Sequence, residues 1–290
     1  MQNNKNLLIL VNPKGGNYSD KKLNKFITIL TQKKYSFFCY YSQTREDILN
    51  VLPFLLNNYS AILVMGGDGF LNEVINVLIE KGKDIPILPI PMGTSNLIAS
   101  FCKINKNVNK WLSILERGKI FKIHPFFINN RRYFLLNLSI GNDANIVYKV
   151  EKKKSFFSKK LKYIFYFIKF LFKKHRFQVK LKVNKKSYKI ENVKNIIGLL
   201  LPYYGLNVRI EKEKDFILYF FYKRNFIKYL LDIKNFFSGN YKWKLSLADN
   251  SGEIFIETIP SQKVQIDGEF FGYTPIKLKK SSKTIRLIVN

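Results

Sequence analysis

Along the first third of the chain, apolar residues fall in short blocks that alternate between two periods. Leu7 to Val11 is a continuous apolar run of strand length. Asn12-Pro13-Lys14-Gly15-Gly16 breaks it. Leu23, Phe26, Ile27 and Leu30 then recur at helical spacing, with Ser19 or Asp20 as N-cap. Tyr35 to Tyr41 is aromatic-rich and strand-like. Thr44, with Asp47 three residues on, resembles a capping box, and Ile48, Val51, Leu52 and Leu55 continue a helical face that Pro53 bends or restarts. Ala61 to Met65 run straight into Gly66-Gly67-Asp68-Gly69, after which Leu71, Val74, Ile75 and Leu78 predict a helix to about Lys81. Ile87 to Ile90 is a short strand among prolines and ends in Met92-Gly93-Thr94-Ser95-Asn96. Val108 to Leu115 reads as a further helix.

Strands alternating with helices predict a parallel α/β sheet. In such sheets ligands bind at the carboxyl ends of strands, near a topological switch point. All three glycine-bearing loops follow strands. Glycine lets backbone N–H groups approach a bound group, and a helix N-terminus favours a phosphate. Asp68 sits where a metal or a polar ligand group could be held. The plainer reading of any one loop is an ordinary strand–helix turn.

The pattern changes near residue 120. Ile120 to Ile128 and Arg132 to Ile140 are strand-like, with Asn129-Asn130 as the turn of a hairpin. Short strands recur afterwards: Phe177 to Val183, Ser187 to Ile190, Ile196 to Leu201, Phe216 to Tyr222, Trp243 to Leu247, Ile254 to Thr258, Val264 to Ile266, Ile276 to Leu278 and Thr284 to Val289. The reading is an α/β domain over residues 1–120 and a β-rich domain, a sandwich, over 121–290, whose last strand is free to return to the first. Between them Lys152 to Arg176 is basic and aromatic. It is either a helix packing its aromatic face on the β domain or a surface that lies on anionic lipid.

Composition adds partners and removes chemistries. The formal net charge of +30 implies attraction to phosphate-rich substrates, anionic lipid or nucleic acid. An AT-biased genome that uses Lys at solvated positions explains it equally well. Cys39 and Cys102 are the only cysteines and His124 and His175 the only histidines, so a disulfide framework, a Cys/His zinc site and a Ser-His-Asp triad are poorly supported. There is no signal-peptide pattern and no 18-residue uncharged apolar run, which makes a cytoplasmic protein the default.

Taken together, Asn12-Pro13-Lys14-Gly15-Gly16, Gly66-Gly67-Asp68-Gly69-Phe70-Leu71-Asn72-Glu73 and Gly93-Thr94-Ser95-Asn96 resemble the three signatures of the diacylglycerol kinase catalytic domain. Val264-Gln265-Ile266-Asp267-Gly268-Glu269 resembles that family's late hallmark. The resemblance covers nearly the whole chain in order. It implies an ATP-dependent lipid kinase: a Rossmann-like N-terminal domain, a C-terminal β-sandwich, and an active site in the cleft between them. Carried over by motif, Asn12, Pro13, Lys14, Gly15, Gly16, Thr44, Gly66, Gly67, Asp68, Gly69, Phe70, Leu71, Asn72 and Thr94 would surround ATP. Glu269 would be the general base, and Asp68 and Asp215 would organise Mg2+ and ordered water. The lipid acceptor would be met transiently at an anionic membrane surface, with diacylglycerol the first expectation and a sphingoid base or another glycerolipid the second.

The chain departs from the family pattern at Gly15, Phe70, Asp215-Phe216 and Tyr204-Gly205-Leu206-Asn207. Asp267-Gly268 also reads simply as a hairpin turn with Glu269 a solvated strand residue, Asp215 as a strand-start polar residue, and Glu73 as a first-turn helix residue. A NAD kinase-like enzyme, a degenerate relative and a basic lipid-binding protein are the rivals. Nucleic acid is not an expected partner, since no recognition module for it is present. A homodimer stays open.

Overall fold

The structure, a computed structural model, describes residues 6–152, 159–172, 175–205, 208–210, 216–222, 225–247 and 252–290. The chain divides into two compact units, residues 1–125 with 281–290, and residues 126–280.

In the first unit β1 (Asn6–Val11), α1 (Asp20–Gln32), β2 (Ser36–Tyr41), α2 (Arg45–Leu55), β3 (Ala61–Gly66), α3 (Asp68–Glu80) and β4 (Ile87–Pro91) alternate strictly. Two helices follow, α4 (Leu97–Phe101) and α5 (Val108–Arg117), then β5 (Lys119–Ile123). The second unit opens with β6 (Phe126–Ile128), β7 (Arg132–Phe134), β8 (Asn137–Gly141), α6 (Asn142–Lys152) and α7 (Lys159–Leu171). It continues through β9 (Phe177–Val183), β10 (Lys186–Leu199), β11 (Tyr203–Tyr204), β12 (Val208–Arg209), β13 (Phe216–Tyr222) and α8 (Phe226–Phe237). It closes with β14 (Lys244–Leu247), β15 (Ile254–Ile259), β16 (Lys263–Ile266), β17 (Glu269–Tyr273) and β18 (Ile276–Lys280). The last strand, β19 (Ile285–Val289), belongs to the first unit.

Among the described residues the first unit has one six-stranded sheet, ordered β2-β1-β3-β4-β19-β5. The pairings β1–β2, β1–β3, β3–β4 and β4–β19 are parallel, and β19–β5 is antiparallel. The chain steps outward from β1 to β2 and then returns to the other side of β1 as β3. The switch point therefore lies between β1 and β3. Both are central strands covered on both faces, which is why they read as unbroken apolar runs. On the edge, β2 alternates exposed and half-buried residues.

In the second unit eleven described strands form one antiparallel sheet, and the long β10 pairs with β8, β9 and β13. The sheet closes over one apolar core supplied from nearly every strand, including Phe134, Leu138, Val179, Ile196, Phe216, Ile254 and Leu278. A second cluster, on the other face of β10 and β13, packs under α8: Ile197, Tyr219 and Phe221 against Tyr229 and Phe236.

Three local readings change. The hairpin turn at Asn129-Asn130 is there, with φ of 48° and 52°, but it joins only the short β6 and β7. Ile120 to Ile123 instead pair with β19 in the first sheet. Of the basic aromatic segment, Lys152 ends the unforeseen α6 and residues 159–171 form α7, while residues 153–158 and 173–174 lie outside the described residues. The unforeseen α8 lies between two of the expected strands; Phe226, Tyr229, Ile233 and Phe236 carry its helical spacing, and Asn225 caps it by accepting from the Lys228 N–H at 3.0 Å. Among the described residues no helix is long and apolar enough to cross a membrane.

Candidate active site

The three glycine loops of the first unit meet at the carboxyl ends of β1, β3 and β4. Their contacts are to one another. A Cβ on Gly15 would lie 2.6 Å from the Met92 carbonyl, and one on Gly16 would lie 2.8 Å from the Thr94 hydroxyl. A Cβ on Gly93 would lie 2.3 Å from the Gly67 Cα. Glycine is required at Gly15 and Gly93 because backbone runs against backbone, and at Gly16 the Thr94 side chain takes the space. Hydrogen bonds tie the same loops together. The Asn17 N–H donates to the Met92 carbonyl at 2.9 Å, and the Asn17 side chain donates to the Gly93 carbonyl. The Asn12 N–H reaches the Met65 carbonyl at 3.0 Å. Within the first loop, Asn12 accepts from the Lys14 and Gly15 N–H groups, folding Pro13 into a turn and leaving Lys14 exposed.

Asp68 binds the third loop to the second. Its carboxylate accepts from the Leu97 N–H at 2.9 Å and the Ile98 N–H at 3.0 Å, so it caps the short α4. Asn96 sits at the N-cap in the left-handed region, with φ 55°, and its amide grips both the N–H and the carbonyl of Gly93 at 2.7 Å. Burial pushes the Asp68 carboxyl up, while the amides it accepts from pull it down. Gly67, at the N-cap of the 13-residue α3, offers no side chain to that helix's first N–H groups. Phe70 lies over Gly66, and Leu71 and Asn72 are buried in α3, where Asn76 donates to the Asn72 side chain at 2.9 Å. Gly69 lies in the first turn of the same helix. Thr44 caps α2: its hydroxyl accepts from the Asp47 N–H at 3.1 Å.

In the second unit β16 and β17 form a hairpin whose two-residue turn is Asp267 (φ 48°) and Gly268 (φ 84°). Left-handed conformation at both positions matches the Asp-Gly preference of such turns. The Asp267 carboxylate accepts from the N–H groups of Leu135, Leu136 and Asn137 at 2.8–3.1 Å, which fastens the turn to the start of β8. Glu269 follows at the start of β17. Its carboxylate is 2.7 Å from the Arg132 guanidinium and remains 33% exposed. Asp215 lies outside the described residues.

Residues 6–126 match the family model described as the diacylglycerol kinase catalytic domain. That match spans less than half of the chain and falls almost wholly in the first unit. A Staphylococcus epidermidis protein named "Putative lipid kinase" is 28% identical over 267 residues, 85% of this chain and 84% of that one. A crystal structure of a diacylglycerol kinase from Bacillus anthracis covers 99% of this chain and 97% of its own at TM-score 0.70 and 17% identity. Yeast NADH kinase complexed with NADH covers 100% and 84% at TM-score 0.56 and 10% identity, a likeness of fold.

The loops of the first unit suit a polyphosphate: three backbone turns meet beside an uncapped helix start. Magnesium is another matter. Among the described residues no three His, Cys, Asp or Glu side chains stand together as a metal site, and both Asp68 oxygens already hold amides. Asp215, the other residue expected to organise magnesium, lies outside the described residues.

Sequence reasoning missed several partners of the candidate residues in each unit. Arg45 of α2 reaches the buried Glu73 of α3 at 2.6 Å and pins the two helices beside the glycine loops. Arg132 stands 137 residues from Glu269, with no local signal linking them. Asp143, at the start of α6, is half-buried beside Ser139, whose hydroxyl donates to it at 2.5 Å, and desolvation pushes its carboxyl up. Asn142, Asp143 and Asn195 are the polar lining of a cavity of about 60 Å³ whose apolar lining includes Phe167, Phe170 and Phe236. That is room for a few waters.

Proposed function

We propose that this chain is an ATP-dependent lipid kinase that transfers the γ-phosphate of ATP to a lipid hydroxyl, with diacylglycerol as the acceptor. The observation that carries this reading is the fusion of the loops after β1, β3 and β4 into one glycine floor beside the start of α3. Phosphoryl transfer depends on positioning and charge neutralisation more than on covalent help. Backbone N–H groups and Lys14 supply both to a triphosphate. Glu269 supplies the proton acceptor. As the acceptor oxygen bonds to the γ-phosphorus, its proton passes to the Glu269 carboxylate. The bond from the γ-phosphorus to the β-γ bridging oxygen breaks, and ADP leaves. Arg132 holds the Glu269 carboxylate in one orientation for that step.

The test is phosphate transfer from labelled ATP to mixed-micelle diacylglycerol, sphingosine and, because the fold is shared with a NADH kinase, soluble NAD. Diacylglycerol should become labelled by the wild type and not by Glu269→Gln. Labelling of NAD alone, or ATP binding with no labelled product, would overturn the proposal.

A further inference from the structure

α7 carries large apolar side chains on two opposite sides. Tyr166 and Phe170 turn inward onto Ile146 and Val150 of α6. Leu161, Ile164, Phe165, Ile168 and Phe172, five large side chains at and just after α7, project the other way and are 45–67% exposed. Their spacing of i, i+3, i+4, i+7 and i+11 makes a single stripe. α8 has the same division. Tyr229 and Phe236 are buried against the sheet, while Ile227, Leu230 and Leu231 are 70%, 39% and 50% exposed. The two stripes meet where Phe172 stacks on Phe226, with centroids 5.0 Å apart and planes 12° apart. Lys194 fixes that junction from beneath. Its ammonium donates to the Leu171 carbonyl at 2.8 Å and lies 4.1 Å from the Tyr229 ring centre.

Scattered exposed apolar residues are ordinary on a soluble protein; a continuous surface spread over two neighbouring helices is not. The charges around it select the occupant. α7 contains no acidic residue, and Asp232, the one acidic residue of α8, is buried. Lys169, Lys228 and Lys234 are exposed on the same two helices. Lysine stems extend along an apolar layer while their ammonium groups reach anionic headgroups. α7 is about 20 Å long, too short to cross a bilayer and suited to lying in its surface.

We propose that the face formed by α7 and α8 docks on anionic phospholipid bilayers, with both helices in the plane of the headgroups. The docking does not rest on the kinase reading, because it is measured without nucleotide or acceptor. The full chain is sedimented with vesicles of phosphatidylcholine alone and of equal parts phosphatidylcholine and phosphatidylglycerol. The expected result is binding to the mixed vesicles that weakens with salt and falls about tenfold or more in Phe165→Ser/Ile168→Asn and in Ile227→Asn/Leu231→Asn. These positions are exposed, so circular dichroism should match the wild type. Phe54→Ser, at an 82% exposed phenylalanine of the first unit, should bind like the wild type. Equal binding by the α7 and α8 variants, or no preference for the anionic vesicles, would overturn the proposal. So would a dimer in light scattering that the same variants dissolve, since the face would then be a contact between two copies.

Discussion

Each unit of this protein ties one motif aspartate to backbone N–H groups, and the two do the same physical job with different consequences. Asp68 accepts two backbone N–H groups and holds the start of α4. Asp267 accepts three and holds the chain entering β8. Neither side chain reaches outward as a free carboxylate. In the first unit the clamp joins two loops, and the result is a continuous glycine floor. In the second it fixes a two-residue turn, and the result is that Glu269, two residues on, leaves the turn in one direction. Motif acids in this fold act largely by placing their neighbours. Glu269, whose carboxylate is a third exposed beside Arg132, is the acid we propose for proton transfer.

Removing that acid gives the sharpest contrast with the clamps. Glu269→Gln should lower kcat for phosphate transfer by about 10² to 10⁴ while shifting unfolding by less than about 1 kcal/mol. Asp267→Ala should do the reverse first. Three buried amides lose their acceptor, so urea unfolding should show a loss of about 3 kcal/mol or more, with activity falling as the hairpin loosens. If Asp267→Ala kept wild-type stability and lost only activity, the clamp would be a catalytic group and the comparison would fail.

Asp68→Ala orphans two amides at the end of a five-residue helix, so the expected loss is smaller, about 2 kcal/mol. Asp68→Asn keeps an oxygen acceptor and should recover part of it. The ordering of Asp267→Ala above Asp68→Ala in the same urea series checks that the number of amides held sets the size of the effect.

How much of this was legible in the sequence depends on range. β1 and β3 were readable because central strands covered on both faces need unbroken apolar runs, and the Asp-Gly turn because few residues tolerate positive φ at both positions. Thr44 and Asp47 were readable as a cap because both partners lie within one helical turn. What each glycine touches was not. Gly67 and Gly93 are 26 residues apart, and nothing near either announces that their backbones touch. Arg45 with Glu73, and Arg132 with Glu269, are the same case for charge. The apolar stripe on α8 had a local signal, its 3.6-residue period. Its meaning came only from the fold, which sets it beside α7.

The smallest expected effect lies in the pH dependence, and it tests what burial does to a clamped carboxylate. Burial pushes Asp267 up from 3.8 to about 6, against the pull of its three amides and of Arg132. The folded state then holds the proton more tightly than the unfolded chain, and folding takes up a proton between those two values. Stability contributed by this group is therefore present in full below the unfolded value and is lost as pH rises to about 6. Asp68 is shifted in the same direction. The unfolding midpoint of the wild type minus that of Asp267→Asn, followed from about pH 4 to about pH 7, should fall across the window and level off above it. A difference that instead grew with pH would mean that three amides outweigh burial. Asp267 would then be a fully ionised anchor, and the two clamps would differ in charge state as well as in the number of amides they hold.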